Sequence, residues 1–258
     1  MPLSLATWNV NSIRARHDRV LAFLERHEPD IVCLQETKVE DADFPEDDIR
    51  AAGYHVAFHG QRTYNGVAII SKQPAENVLM GLPGDPTDEE ARLIAADVAG
   101  LRVVDIYVPN GRTVSDETKF PYKLAWLQRL QEFLQAEIET GKPLALCGDY
   151  NIAPRDEDVA YPERWAKSVL CHPSVRGAFE GLIGLGLHDA VRHHLEAPGP
   201  YSWWDYRRLA FPKGDGLRID HILLTGGALA RSTGASVDRD ERKGKQPSDH
   251  APVFVYLD

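Results

Sequence analysis

The sequence predicts an α/β fold with mixed β-sheets. Short apolar runs, typical of buried strands, alternate along the chain with segments of helical periodicity. The alternation is irregular, which argues against a doubly wound sheet whose strands are all parallel. Polar residues follow the apolar runs, and the carboxyl ends of strands are where α/β sheets bind ligands. Hydrophobic residues make up 43% of the 258 residues, enough to bury a large core.

Three strands and one helix are predicted in the first third of the chain. Leu3 to Val10 is interpreted as a buried strand. Apolar residues at positions 20, 21, 23 and 24 follow helical spacing, and Pro29 ends this helix. Ile31 to Gln35 and Val67 to Ile70 are the next two strands.

The rest of the chain continues this alternation. Leu101 to Val108, Leu144 to Cys147, Ile219 to Leu224 and Val253 to Leu257 are predicted strands. A long amphipathic helix, closed by Gly141, is predicted where apolar residues recur at three- and four-residue steps. These residues are Leu124, Leu127, Leu130, Leu134 and Ile138.

Composition limits the class of protein. No linker or internal repeat divides the chain, so one domain is expected. No run of about 18 apolar residues is present, so no membrane helix is expected. The first residues lack the basic and apolar regions of a signal peptide, and the three cysteines are odd in number and far apart. A cytoplasmic protein without disulfides or a zinc site is therefore expected.

The net charge of −10, from 29 basic and 39 acidic residues, argues weakly against nucleic acid as a partner. Net charge averages over all faces of a protein, so a local basic face remains compatible with it. Carboxylates around a divalent cation also lower the total without repelling a phosphate once the metal is bound. DNA therefore stays open as a partner.

Six acidic or amide motifs each follow a predicted strand. Any one of them alone has an ordinary structural explanation, because a strand-ending Asp or Asn often caps the next turn or helix. Their repetition, with a consistent set of residue types, indicates a catalytic site. The motifs are Trp8-Asn9-Val10-Asn11, Leu34-Gln35-Glu36-Thr37-Lys38, Tyr107-Val108-Pro109-Asn110-Gly111, Gly148-Asp149-Tyr150-Asn151, Arg218-Ile219-Asp220-His221 and Ser248-Asp249-His250-Ala251-Pro252.

The motifs suit phosphodiester hydrolysis, which requires a neutralised phosphate, an oriented water and a stabilised leaving alkoxide. Oxygen ligands favour Mg²⁺, with Mn²⁺ as a substitute, and no cluster rich in His or Cys indicates zinc. Glu36 is the main candidate metal ligand, and Asp149 can orient or deprotonate the attacking water. Asn9 and Asn151 can donate to phosphate oxygens without adding negative charge.

Two further residues are candidates for contacts to the phosphate. His250, if paired with Asp220, would be held in one tautomer and could donate to a phosphate oxygen. Tyr107 could steady the phosphate or the leaving oxygen.

The motifs resemble the exonuclease III family of apurinic/apyrimidinic endonucleases, within the DNase I-like phosphodiesterases. The resemblance covers essentially the whole chain. It implies one endonuclease/exonuclease/phosphatase domain over residues 1–258, folded as a four-layer α/β sandwich of two mixed sheets packed face to face and flanked by helices. The segments that carry it are TWNVNSIRAR, LQETK, YHVAFHGQ, NGVAI, KFPYK, LCGDYNIAP, LGLHDAVRHH, YSWWDYR, GLRIDHIL and PSDHAPV.

The resemblance also implies roles for individual residues. The implied catalytic residues are Asp149, which would activate the water, with His250, Tyr107, Asn151 and Asp220. The implied metal ligands are Glu36, Asn9, Asp249, Asp149 and Asn151. The implied DNA-binding residues are Asn11, Arg92, Asn110, Trp204, Arg207 and Lys123. For Arg92, a structural place behind the site is the alternative.

Some positions leave alternatives open. Asn110 replaces the glutamine expected after the YxP of the tyrosine motif, which keeps an amide but shortens its reach. For Trp204, core packing competes with a role as a wall of the abasic pocket. For His221, a core position is favoured over a second site histidine. For Asp189, a helix cap or structural ion pair competes with the role of a family aspartate.

The implied function is metal-dependent cutting of DNA 5′ to abasic sites and removal of 3′-blocking groups. In this family, a 3′-to-5′ exonuclease activity on duplex DNA can accompany these reactions. The implied partner is duplex DNA with abasic sites or 3′-blocked ends, bound by a monomer. Two other classes share such a fold: phosphodiesterases of inositol phosphates or sphingomyelin, and non-enzymatic regulators. The segments LQETK, KFPYK and SWWDYR favour the DNA-repair branch.

Overall fold

The strands of this protein form two sheets of six, packed face to face. The computed structural model describes residues 2–258. The strands are β1 (Leu3–Asn9), β2 (Ile31–Gln35), β3 (His55–His59), β4 (Val67–Ser71), β5 (Glu76–Met80), β6 (Leu93–Val98), β7 (Leu101–Tyr107), β8 (Leu144–Asp149), β9 (Leu187–Asp189), β10 (Asp220–Thr225), β11 (Ser232–Val237) and β12 (Val253–Leu257).

Helices lie outside the sheets. The α-helices are α1 (His17–His27), α2 (Glu46–Ala51), α3 (Lys119–Glu139), α4 (Pro162–Trp165), α5 (Pro173–Gly184), α6 (Ala190–His194), α7 (Ala210–Lys213) and α8 (Gly226–Leu229). Short 3₁₀ turns occupy Asp41–Asp43, Asp156–Asp158 and Arg239–Arg242. Within residues 2–258, no helix is long and apolar enough to cross a membrane.

Both sheets are mixed and share one pattern of strand directions. The first has the order β11-β12-β1-β2-β4-β3 and the second β5-β6-β7-β8-β10-β9. A parallel pair lies in the middle of each sheet, β1 with β2 and β7 with β8, and the neighbouring pairs are antiparallel. The predicted four-layer sandwich with mixed sheets is confirmed.

Three hydrophobic clusters correspond to the spaces between the four layers. The cluster between the sheets contains inward-facing residues of both, such as Ile31 and Val103. Phe23 of α1 packs on the outer face of the first sheet. Leu130 of α3 and Phe179 of α5 pack on the outer face of the second. Polar residues lie at the edge of the sheets where β1, β7 and β8 end.

Candidate active site

Four predicted site residues meet at one edge of the two sheets. Asn9 is the last residue of β1, and Glu36 directly follows β2, the parallel neighbour of β1. Tyr107 and Asp149 end the parallel strands β7 and β8. Parallel strands place their carboxyl ends at the same edge of a sheet, so the chain direction alone gathers these side chains.

Asp220 and His250 reach the same edge from strands that run in the opposite direction. Asp220 is the first residue of β10 and lies opposite Asp149 in the antiparallel register. His250 precedes β12, which is antiparallel to β1. The prediction that all six motifs follow a strand is therefore wrong for these two. The amino ends of antiparallel strands share an edge with the carboxyl ends of their neighbours.

Asn9 joins the two acidic residues of the site. Its Nδ2 donates to Glu36 Oε1 at 2.8 Å and to Asp149 Oδ2 at 2.9 Å. Its Oδ1 accepts from the backbone N–H of Asn11 at 2.9 Å, which fixes the orientation of the amide. The nitrogen, not the oxygen, therefore faces the carboxylates. A metal contact of Asn9 would need its Oδ1, which here accepts the Asn11 N–H, and this contact stays a prediction.

Asn151 also has its amide oxygen engaged. Its Nδ2 donates to the Val108 carbonyl at 3.0 Å, and its Oδ1 accepts from Asn110 Nδ2 at 2.8 Å. Its backbone N–H donates to Asp149 Oδ1 at 2.8 Å. The oxygen that a metal contact of Asn151 would need therefore contacts Asn110 here, and the metal contact stays a prediction. Asn110, predicted to bind DNA, lies at the site through this bond.

Asp249, the remaining predicted metal ligand, is held by two hydrogen bonds. Its Oδ1 accepts from Asn11 Nδ2 at 2.9 Å and its Oδ2 from Trp203 Nε1 at 3.0 Å. Lys38 in turn donates to Asn11 Oδ1 at 2.6 Å and pairs with Glu36 at 2.7 Å. Asp249 lies outside the group of ligand atoms formed by Glu36, Asp149 and His250, and its role as a metal ligand stays a prediction.

The acidic cluster can hold a divalent cation. Glu36, Asp149 and His250 each offer one atom, and these atoms lie within 4.8 Å of one another. Burial, together with Asp220 and Glu36, raises the pKa of Asp149 to about 7 against the opposing effect of His250. A divalent cation would relieve this repulsion, and carboxylate oxygens are the ligands that hard cations prefer. The donor set of Glu36 and Asp149 therefore fits such an ion.

His250 forms a buried pair with Asp220. Its Nδ1 lies 3.0 and 2.9 Å from the two carboxylate oxygens of Asp220. Burial lowers the pKa of His250, but Asp220 and Asp149 outweigh it and raise this pKa to about 10. The two carboxylates therefore favour the protonated imidazole, and its Nε2 lies 3.7 Å from Asp149 Oδ2. A protonated histidine is a donor and cannot bind a metal.

Ser202, which sequence reasoning missed, orients Asp220. Its hydroxyl donates to Asp220 Oδ2 at 2.6 Å and accepts from the backbone N–H groups of Ile219 and Asp220 at 3.2 and 3.1 Å. The residue is fully buried. Its signal in the sequence is its place in the YSWWDYR segment, where the tryptophans that follow it were considered for a role instead.

Tyr107 keeps its proton and is supported by Arg92. Burial, Glu36 and Asp149 raise the pKa of the Tyr107 phenol well above its usual range, with Arg92 opposing them. The Arg92 guanidinium lies 4.8 Å from the centre of the tyrosine ring and donates to its backbone carbonyl. Arg92 is thus engaged with Tyr107, as expected of a structural residue behind the site, and its DNA contact stays a prediction.

A cleft of about 480 Å³ opens beside the acidic cluster. Trp203 and Trp165 line it, with their ring centres 5.5 Å apart. Trp204 is only 1% exposed and packs against Phe211, so its prediction as the pocket wall is wrong. Adjacent residues in an extended segment face opposite sides, and Trp203 is the one that faces the cleft. Trp165 had no signal in the sequence.

The other two predicted DNA contacts differ in exposure. Arg207 lines the cleft with its side chain 84% exposed and pairs with Asp205. Lys123 is completely buried, and its Nζ donates to backbone carbonyls. Burial lowers the pKa of Lys123 to about 7, although Asp149 opposes this. An ammonium group without solvent access cannot contact a DNA phosphate, so the prediction for Lys123 is wrong.

His221 and Asp189 both have structural contacts. His221 is fully buried, with Nε2 donating to the Ile152 carbonyl at 2.9 Å and Nδ1 accepting from Arg218 at 3.0 Å. Burial and Arg218 lower its pKa to about 4, so it is a neutral core histidine, as favoured from the sequence. Asp189 caps α6 through the Arg192 N–H and pairs with Arg218 at 2.7 Å.

Known proteins are similar to this chain in sequence and in fold. Residues 6–250 match the model of the endonuclease/exonuclease/phosphatase family. An exodeoxyribonuclease III of Haemophilus influenzae is 36% identical, over 98% of this chain and 99% of that protein. The structure of an AP endonuclease from Archaeoglobus fulgidus is 41% identical with a TM-score of 0.94, covering 99% of both chains. A 3′ phosphatase from Neisseria, solved with a product DNA hairpin, is 41% identical with a TM-score of 0.97, covering 99% of both chains.

Proposed function

The chain belongs to the endonuclease/exonuclease/phosphatase family, and on this premise we propose that it is a DNA-repair nuclease that cuts 5′ to abasic sites and removes 3′-blocking groups. We propose a 3′-to-5′ exonuclease activity on duplex DNA as well. The observation that carries the proposal is the bridge from Asn9 to Glu36 and Asp149 beside the Asp220–His250 pair. All three reactions hydrolyse a phosphate ester at a 3′ oxygen, so one such site can serve them.

Glu36 and Asp149 would hold the metal ion, for which we propose Mg²⁺. When bound, the ion supplies positive charge that neutralises the phosphate. Asp149 can then accept a proton from the attacking water, because Asn9 holds its carboxylate in place beside Glu36. Asn9 keeps this carboxylate turned toward Glu36.

Hydrogen-bond donors of this chain can stabilise the negative charge that develops on the phosphate. The charged His250 presents its Nε2–H on the side of Asp149, while Asp220 holds the ring in place. Tyr107 is a neutral phenol and can donate to the phosphate or to the departing oxygen. Fixed donors of this kind stabilise a transition state because no reorganisation is needed when the charge forms.

The cleft beside the cluster suits a deoxyribose that lacks its base. Trp203 and Trp165 offer apolar walls, and an abasic nucleotide costs less to flip out of a duplex than a paired one. Arg112, Lys167 and Arg207 also line the cleft and can meet phosphates of the backbone. The relatives named as an AP endonuclease and a DNA-bound 3′ phosphatase support this class of substrate.

The test is cleavage of labelled DNA duplexes by the purified protein. One duplex carries a central abasic site, a second a 3′-phosphate and a third an intact 3′ end, each with Mg²⁺ and with EDTA. We expect metal-dependent products with 3′-hydroxyl ends, and no cutting by Asp149→Asn. Turnover of inositol phosphates in the same buffer, with all duplexes left intact, would refute the proposal.

A further inference from the structure

Lys123 is a fully buried lysine on α3, next to the active site. Its side chain has no exposed surface. Its hydrogen-bond partners within residues 2–258 are three backbone carbonyls rather than a carboxylate. A charge in such a place is unfavourable unless each of its N–H groups is paired, so its presence requires an explanation.

The three carbonyls belong to three different segments around the site. Lys123 Nζ lies 2.6 Å from the carbonyl oxygen of Asn151, which follows β8. It lies 3.2 Å from that of Asn110, in the loop after β7, and 3.5 Å from that of Val169, which lines the cleft. An ammonium group has three N–H donors, so one side chain ties all three segments together.

The stem of Lys123 is also tightly enclosed. Gly111 follows Asn110 with a φ of +85°, and a Cβ atom added there would lie 3.0 Å from Cδ of Lys123. Glycine allows both this backbone conformation and the close approach. The loop after β7 is therefore shaped against the lysine stem as well as bonded to its ammonium group.

We propose that Lys123 is a positioning residue for phosphodiester hydrolysis, whose ammonium group fixes the loops that carry Asn110 and Asn151. The amides of these two residues bond to each other, and the backbone N–H of Asn151 holds Asp149. Lys123 thus acts on the catalytic aspartate through Asn151. The inference rests on the proposed function, which gives Asp149 its task.

The main test replaces Lys123 by Met, which keeps the length of the stem and removes all three donors. We expect kcat on the abasic duplex to fall about 100-fold, because misplacement of catalytic groups by about 1 Å has an effect of this size. KM, and the affinity for the duplex measured by anisotropy in EDTA, should stay within about twofold of wild type, since a buried group makes no contact to DNA. The dependence of affinity on salt should not change.

Two further variants separate geometry from charge and from stability. Lys123→Arg keeps the charge, but its planar fork cannot address three carbonyls in the same way, so kcat should fall at least about tenfold. Leu130→Ala is the control: Leu130 is buried on the same helix, two turns further along, and makes no part of the site. It should lower Tm while kcat at 25 °C stays within about twofold of wild type.

The possible outcomes are distinct. Wild-type kcat in a folded Lys123→Met or Lys123→Arg protein would overturn the positioning role. A weaker salt dependence, by about one phosphate contact, would instead indicate direct DNA binding and would also overturn it. If Lys123→Met does not fold, Gly111→Ala tests the same point by pushing on the stem, and an unchanged kcat there refutes the proposal. A wild-type protein inactive on every duplex would refute the proposed function itself.

Discussion

Replacing Asp220 by Asn should convert His250 from a group that is protonated at neutral pH into one that titrates near neutral pH. In the wild type, both carboxylate oxygens of Asp220 lie within 3.0 Å of His250 Nδ1. The asparagine keeps the size and one acceptor but removes the charge. A neutral imidazole that donates from Nδ1 has no proton on Nε2, so the donor proposed to face the phosphate is lost.

The size of the effect follows from the pKa of His250. Its rise from 6.5 to about 10 corresponds to about 5 kcal/mol in favour of the charged form. This is a net value, in which the attraction of Asp220 and Asp149 exceeds the opposing effect of burial. If the variant returns only to 6.5, about one-tenth of His250 is charged at pH 7.5 and about nine-tenths at pH 5.5. Activity relative to wild type should therefore fall about tenfold at pH 7.5 from ionisation alone.

The assay is single-turnover cutting of an abasic duplex by both proteins from pH 5.5 to 8.5. The ratio of variant to wild-type rate is the informative quantity, and it should rise as the pH falls from 7.5 to 5.5. Loss of the Asp220 charge also lowers the pKa of Asp149, which changes the ratio in the same direction. A histidine whose pKa is raised on folding stabilises the folded protein fully below pH 6.5. This stabilisation is lost as the pH rises to about 10. The variant should therefore be less stable at pH 7 by about 1.5–3 kcal/mol, still folded at 25 °C. A ratio that does not vary with pH would refute the reasoning.

Three other changes should have separable effects. Glu36→Gln should lower cutting by at least about 100-fold and abolish the binding of Mn²⁺ followed by EPR, with Tm retained; wild-type Mn²⁺ affinity would contradict its role. Trp203→Ala should weaken binding of an abasic duplex with little change in Tm, whereas Trp204→Ala should lower the free energy of unfolding by about 3–5 kcal/mol; the opposite pattern would restore Trp204 as the wall. His221 stays neutral in the folded protein down to about pH 4, whereas in the unfolded chain it is protonated below pH 6.5. It therefore lowers the free energy of unfolding as the pH falls from 6.5 to 4. His221→Gln should therefore flatten the fall of Tm between pH 7 and 5 and leave kcat within about twofold; an unchanged slope would contradict the pKa.

The fold was predictable where burial leaves a hydrophobic pattern. β2, β4 and β8 are fully buried and were found from their apolar runs. The edge strand β5, with the sequence ENVLM, is mostly exposed and carries no such pattern. β11, at the edge of the other sheet, has the sequence STGASV and also lacks the apolar run of a buried strand. Helix α5 was missed although Val175, Phe179 and Leu182 lie at helical spacing behind Pro173.

The candidate site was predictable in its residue types but less in their orientation. A motif can indicate that Asn9 and Asn151 lie at a site, but the direction of an amide depends on which backbone groups face it. The N–H of Asn11 and the carbonyl of Val108 decide that direction here. Lys123 was misjudged for a related reason: a lysine in a basic segment is ordinarily exposed, and only the folded loops supply three carbonyls to pair it.

The strand directions explain why residues so distant in sequence form one site. The first sheet supplies Glu36, Asn9 and His250, and the second supplies Asp149 and Asp220. The bond from Asn9 to Asp149 and the pair of His250 with Asp220 both cross from one sheet to the other. A shift of one sheet along the other by a single residue, about 3.3 Å, would break both contacts at once. The inter-sheet core therefore stabilises the fold and also sets the register on which the catalytic geometry depends.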